Sequence, residues 1–429
     1  MSQTNRIIRR TSPACVAAIV FFSFACGSRT PQPALTLQSA PRAATIADEF
    51  ITTFWCGPPL AVFDDGRARE IQEAEFNLIG ASCEGPVTPR LNLRALQIAQ
   101  RHGLRMLIKD ARISAAQGLS AAWREKASRA IGFYKNRPGL AGFFLADEPG
   151  SDRNPDIAAM RRRIRREAPG KIGYVNLLPD YVFAGPEDYR EHVEAYLFET
   201  RPDILSYDHY PFLIERDRPS YFENLSIIRE LALDYGVAFM AVVQLMPHAD
   251  YRDVTYGELS WQVFHALAFG ARGISYFAYW TPSQVPDNLA YRFRTGIVEA
   301  GLPTEHYHQV AKLNRLVRSL ARQTEGLTSV GVWDSRGRFG ASHLPPPFAD
   351  VTGAPVTIGS FAGPGGRRAA LIVNQNYRES ITVAATFSRG VTAETFDPIS
   401  GEWAPLPATF ELPAGAPYLL RFAGAAIGS

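Results

Sequence analysis

From residue 49 to residue 323 short apolar runs alternate with longer stretches of helical period, and this rhythm is the strongest signal in the chain. The apolar runs predict strands at 49–55, 76–80, 104–108, 140–145, 172–175, 204–207, 238–243 and 273–278. Between them the apolar spacing predicts helices at 67–75, 91–102, 154–167, 187–200, 221–235 and 259–269. A further helix follows the third strand through Trp123, Ala127, Ile131 and Tyr134, and a last one covers 307–323. Strand-then-helix units in this number predict an α/β fold closed as a (β/α)8 TIM barrel over 45–325, with a doubly wound open sheet as the alternative. No GxGxxG or P-loop glycine pattern follows any of the strands, which removes the nucleotide-binding argument for the open sheet.

After residue 325 the period changes from helical to alternating. Segments 368–374, 381–387 and 418–422 are separated by Gly, Pro, Asn and Asp turns, and predict a small all-β antiparallel sandwich over 326–429.

The start of the chain has another texture. Arg6, Arg9 and Arg10 precede an apolar run over 14–25 that is too short to span a membrane and ends in small residues before Cys26. Residues 1–26 therefore read as an export signal. Ser23-Phe24-Ala25-Cys26 is similar to a bacterial lipobox, although it lacks the usual leucine three places before the cysteine, so lipidation of Cys26 and simple cleavage nearby both stay open. Residues 27–44, rich in Pro, Ser, Thr, Gln and Ala, read as a flexible tether. The expected location is extracytoplasmic: periplasmic, at the outer membrane through a lipid anchor, or secreted.

Of four cysteines, one lies inside the signal and Cys26 is the lipidation candidate, leaving Cys56 and Cys83. Both follow predicted neighbouring strands, and in an oxidising compartment they could pair. Net charge is only +3, and the one basic block, residues 161–166, sits near the end of a predicted helix where cations suit the negative dipole end. Nucleic acid is not an expected partner. No HExxH or tight His/Cys cluster occurs, so neither a metal nor another cofactor is expected.

A barrel gathers the last residues of every strand around one mouth. Those residues include Trp55, Glu84, Lys109, Asp110, Asp147, Glu148, Asn176, Tyr207, Asp208, Tyr210, Gln244, Tyr279 and Trp280. Carboxylates, amides and aromatic rings together suit a sugar, whose hydroxyls take hydrogen bonds and whose apolar faces stack on rings. Several have bland readings: Lys109 and Asp110 could pair with each other, Asp64-Asp65-Gly66 suits a helix start, and Trp280 could be packing alone.

Asp147-Glu148-Pro149 after the fourth strand resembles the Asn-Glu-Pro of clan A glycoside hydrolases, in which the glutamate is the general acid/base. Tyr276-Phe277-Ala278-Tyr279-Trp280 and Gly301-Leu302-Pro303-Thr304-Glu305-His306-Tyr307 are similar to stretches of β-galactosidase-like barrels. The tail, with Asp397-Pro398-Ile399-Ser400-Gly401, resembles the β-sandwich that often follows them. The resemblance implies a glycoside hydrolase acting on a poly- or oligosaccharide, with Glu148 as acid. Two departures matter: Asp147 replaces the asparagine, and Gln244 ends the seventh strand where clan A carries its nucleophilic glutamate. A neutral amide cannot form a glycosyl ester.

Three routes remain open. Asp208 supplies the second carboxylate, with Asn176, Tyr210, Gln244, Trp280 and Asp147 binding the sugar. Alternatively Asp147 and Glu148 act as a pair on an N-acetylated sugar whose own amide is the nucleophile, although adjacent strand residues point to opposite faces. In the third, the barrel binds glycans without cleaving them.

Overall fold

The computed structural model describes residues 43–114, 120–283 and 292–424. The predicted signal, its Cys26 and most of the tether lie outside the described residues. From Arg42 onward barrel and β-module form one compact unit.

Eight parallel strands make the barrel: β1 Ile51–Phe54, β2 Leu78–Ile79, β3 Arg105–Ile108, β4 Leu140–Asp147, β5 Ile172–Leu177, β6 Ile204–Asp208, β7 Ala238–Gln244 and β8 Gly273–Phe277. They pair in sequence order from β2 to β8, and β8 pairs with β1. Between β1 and β2 the wall is closed by single bonds: the Asn77 N–H donates to Thr52 O at 3.1 Å, and Thr52 N–H to Asn77 Oδ1 at 2.9 Å. Here two glycines are required. A Cβ on Gly80 would stand 1.9 Å from Phe54 O, and one on Gly57 would stand 2.3 Å from Gly80 O. Just beyond, Cys56 and Cys83 form a disulfide that ties the two loops together.

The helices are α1 Asp65–Glu73, α2 Pro89–Arg101, α3 Ala121–Tyr134, α4 Asn154–Glu167, α5 Pro186–Thr200, α6 Tyr221–Asp234, α7 Tyr256–Ala268 and α8 Glu305–Gln323. Each puts its apolar stripe on the outer face of the sheet, while Ile51, Leu78, Leu107, Ala141, Ile172, Ile204 and Met240 fill the barrel's inside. Asp64 caps α1 by accepting the Arg67 N–H at 2.9 Å. The basic run on α4 is structural: Arg161 is 2% exposed and pairs with Asp203 at 2.8 Å, and Arg163 pairs with Glu167 at 2.9 Å.

The chain leaves the barrel between α8 and β9 Thr328–Asp334. It then builds a six-stranded sheet and a three-stranded sheet that enclose a second core including Val356, Ile372, Val383, Phe410 and Leu420. This module packs on α7, which is buried on nearly every side because it serves two layers. A Cβ at Gly359 would collide with Ala268 O at 2.1 Å. His265 donates from Nδ1 to Trp261 O at 2.7 Å and accepts from Thr357 at 3.2 Å, and burial lowers its pKa to about 3, so it crosses the seam uncharged.

Candidate active site

Strand alternation supplies the floor. On β5 and β6 the inward positions are Ile172, Tyr174, Asn176 and Ile204, Ser206, Asp208, and paired register brings Asn176 beside Ser206. A buried chain of hydrogen bonds follows. Tyr174 and Ser206 share a bond at 2.8 Å, the Ser206 hydroxyl donates to Asn176 Oδ1 at 2.9 Å, and Asn176 Nδ2 donates to Asp208 Oδ1 at 2.7 Å. Asp208 is 4% exposed. Tyr207, by contrast, points outward into the helix layer.

The third part of the site comes from β4. Asp147 ends the strand, opposite Asn176. Glu148 then takes a left-handed backbone, φ 44°, held by its N–H donating to Asn176 O at 2.8 Å. A non-glycine residue in this conformation costs about 1–3 kcal/mol, and such strain collects at functional sites. Its consequence is geometric: the alternation that would send Asp147 and Glu148 to opposite faces is broken, and although both residues open to solvent, Glu148 reaches Asp208 while the Asp147 charge couples to both. The Glu148 and Asp208 carboxyls lie within hydrogen-bonding reach of each other.

Three crowded carboxyl groups do not all ionise. Burial, then the Glu148 charge, pushes the Asp208 pKa far above the carboxylate range. Burial raises Glu148, with the Asp208 hydrogen bond opposing. Asp147 is pushed up to about 7 by burial and by Glu148, against the pull of Lys109. Lys109 in turn is lowered by desolvation, its Nζ 4.7 Å above the Phe144 ring. The expected Lys109 and Asp110 pairing does not form. Asp110 instead accepts from Arg112 Nε at 2.9 Å and Nη2 at 2.6 Å, and from the Tyr134 hydroxyl at 2.9 Å, while Lys109 faces Asp147.

One wall of the mouth is aromatic. Tyr210 meets Phe277 at 5.4 Å, Tyr251 at 5.5 Å and His248 at 5.8 Å between centroids. Arg218 lies 3.8 Å over Tyr181 and donates to the Tyr251 hydroxyl at 3.2 Å. Tyr210 is near Asp208, Glu148 and Asp147, all of which help raise its pKa after burial.

Two expected sugar contacts have other partners. Gln244 is 0% exposed and both ends of its amide are used: Oε1 accepts the Phe212 N–H at 2.9 Å, and Nε2 donates to Phe212 O at 2.8 Å and Arg252 O at 3.0 Å. It is a latch between the β6–α6 and β7–α7 loops, with both donors used and no exposed surface for a ligand to reach. Trp280 leans on Arg67, 5.6 Å away, which pairs with Glu70 at 2.6 Å on α1; the β8 ring that joins the wall is Phe277. Tyr174 and Ser206 were missed although their parity with Asn176 and Asp208 was a usable signal. Tyr181, Arg218, His248 and Tyr251 stand on loops and gave none.

Among the described residues no group of three or more His, Cys, Asp or Glu is arranged to hold a metal ion, and no helix is long and apolar enough to cross a membrane. An apolar cavity of about 370 Å³ lined by Phe50, Phe239 and Phe361 lies at the opposite end of the barrel from the carboxyl groups.

Solved structures with this fold include a catalytic mutant of a family 42 β-galactosidase from G. stearothermophilus, with TM-score 0.59 and 10% identity, covering 89% of this chain and 99% of that one. A family 5 glycoside hydrolase from Bacteroides vulgatus matches with TM-score 0.54 and 10% identity, over 88% of this chain and 90% of that one. No protein-family model matches the sequence, and no curated protein matches it. The fold so defined is a (β/α)8 barrel carrying a C-terminal β-module. At this identity the likeness is one of fold, and the chemistry rests on the carboxyl groups at the mouth.

Proposed function

We propose that this protein hydrolyses glycosidic bonds, with Glu148 protonating the leaving oxygen. The observation that carries the reading is the left-handed turn at Glu148, which spends backbone strain to gather Asp147, Glu148 and Asp208 beneath an aromatic wall. Burial holds a proton on the Glu148 and Asp208 pair, and a shared proton on the open member is what a general acid needs near neutral pH. The hydrogen-bonded chain from Tyr174 to Asp208 fixes the inner member of that pair.

The test is reducing-sugar release from a broad panel of polysaccharides and aryl glycosides, with Glu148→Gln beside the native protein. Loss of a general acid costs roughly 100- to 10,000-fold. Release that survives the substitution removes Glu148 from the role, and saturable glycan binding without any release puts the non-catalytic reading in its place.

A second reading of the same mouth is favoured by one contact. Asp208 is in hydrogen-bonding reach of Glu148, whereas carboxyl groups that flank a sugar stand about 5–9.5 Å apart. No opposed carboxylate is then left for a covalent or water-activating role, and the substrate's own 2-acetamido group would serve as nucleophile. Asp147 accepts the amide N–H in this scheme, and Tyr210 offers its hydroxyl to the amide oxygen. Cleavage confined to 2-acetamido aryl glycosides, and slowed by Asp147→Asn, supports it; equal cleavage of 2-hydroxy glycosides excludes it.

Export and anchoring belong to the proposal too, resting on the N-terminal sequence. Cys26→Ser would release a lipoprotein from the membrane fraction, and an unchanged distribution would leave cleavage without a lipid.

A further inference from the structure

The mouth does not end at the carboxyl groups. Beyond the aromatic wall runs a groove of about 490 Å³, lined by Ile214, Pro247, His248, Tyr251, Arg292 and Arg294 among others. That volume is within the range of small-molecule sites. His248 and Tyr251 belong to both spaces, because each ring packs against Tyr210 on its other side, at 5.8 and 5.5 Å. A sugar chain with one unit over Glu148 would therefore lay its neighbour in the groove.

The groove's charges are unbalanced. Arg252 also lines it, but its guanidinium is taken by Glu258 at 2.6 Å and Asp217 at 2.8 Å. The Asp253 carboxylate is held by His306 at 2.9 Å and Thr295 at 3.4 Å. Arg292 and Arg294 make no ion pair with the described residues, and both side chains are exposed. Arg294 lies near enough to Asp253 to favour its ionised form, and with Arg252 paired outside the lining two arginines face one carboxylate, so the lining keeps a net positive charge.

Their backbone is fixed. Next to Arg294, Thr295 is bonded to Asp253, and Gly296 is clamped by its N–H to Thr281 Oγ1 at 3.0 Å and by Thr304 Oγ1 to its carbonyl at 2.6 Å. The segment then runs on through the Ile297 N–H, bonded to Ala278 O at 3.0 Å. Neutral sugar hydroxyls pair well with amides and hydroxyls, and rings suffice for their apolar faces. Forked guanidinium groups in a lining of net positive charge suit a carboxylate or a sulfate, which accept two parallel N–H bonds.

We infer that this groove is a subsite for an acidic sugar unit, so that the substrate is an oligosaccharide carrying a carboxylate or sulfate next to the unit that is cleaved. The inference rests on the glycosidase reading of the same mouth, and extends it to a substrate class.

The experiment uses the full chain carrying Glu148→Gln, so that binding is read without turnover. Its probes are uronate- and sulfate-bearing oligosaccharides from animal, algal and bacterial polysaccharides, each beside its carboxyl-reduced and its desulfated counterpart. The expected result is that the acidic members bind and that removing the acid weakens binding at least tenfold. Which treatment does so tells carboxylate from sulfate. Arg292→Gln with Arg294→Gln is expected to weaken the same ligands at least tenfold without moving the melting temperature, since both side chains are exposed. Equal binding of neutral counterparts, or acidic ligands held as tightly by the double variant, overturns the subsite. If native protein cleaves neutral glycans while acidic ones are ignored, the inference fails alone; if nothing is bound and nothing cleaved, the glycosidase reading fails and takes the inference with it.

Discussion

Replacing Gln244 by glutamate puts a carboxylate where the sequence resemblance calls for one, and the structure assigns it a different outcome from restored catalysis. The amide Nε2 donates to Phe212 O at 2.8 Å and Arg252 O at 3.0 Å in a site with 0% exposure. An ionised glutamate donates to neither and sets oxygen against oxygen. Phe212 O still accepts the Arg252 N–H at 3.1 Å, so one buried carbonyl, Arg252 O, is left without a donor, at about 1–3 kcal/mol before the charge and the oxygen–oxygen clash are counted. That is a sizeable part of the roughly 5–15 kcal/mol that holds a domain together. A protonated glutamate keeps one donor, so its folded pKa must rise above the unfolded value of about 4.3. A raised folded pKa means that relative stability is present below pH 4 and falls as pH climbs through the folded value. Urea unfolding followed by circular dichroism at pH 5 and pH 8 measures this: the variant's midpoint should drop at both, and more at pH 8. Glycoside cleavage should not increase. An unchanged midpoint at pH 8, or a gain in hydrolysis, would refute the latch and return the position to the substrate.

Two further outcomes concern the charged mouth. With Asp147 at about 7, cleavage of 2-acetamido glycosides should rise through neutral pH as Asp147 ionises, and Lys109→Met should move that limb to higher pH by removing the charge that favours the carboxylate. A limb that stays in place would detach Lys109 from Asp147. The same raised pKa works against folding as pH climbs from about 4 through 7, so Asp147→Asn should stabilise the protein at pH 8 and have little effect at pH 4. Parallel unfolding curves at the two pH values would show that Asp147 is solvated.

Much of this protein was legible before folding. Strand and helix order, closure into a barrel and the switch to an all-β module follow from hydrophobic period alone, because buried strands and amphipathic helices leave different spacings. Position at strand ends already put Asn176 and Asp208 at the barrel mouth. Tertiary structure alone decided the rest. The left-handed backbone at Glu148 depends on a hydrogen bond to Asn176 O on the neighbouring strand, so nothing local announces that Asp147 and Glu148 face the same way. Gln244 looked like a sugar ligand because it ends a strand, yet its partners, Phe212 and Arg252, are backbone groups of loops that only the closed barrel brings to it. Loop rings such as Tyr251 and His248 have no period to betray them. Period encodes burial, which each residue expresses for itself; a site is a set of distances between residues remote in sequence, and only the packed chain sets those.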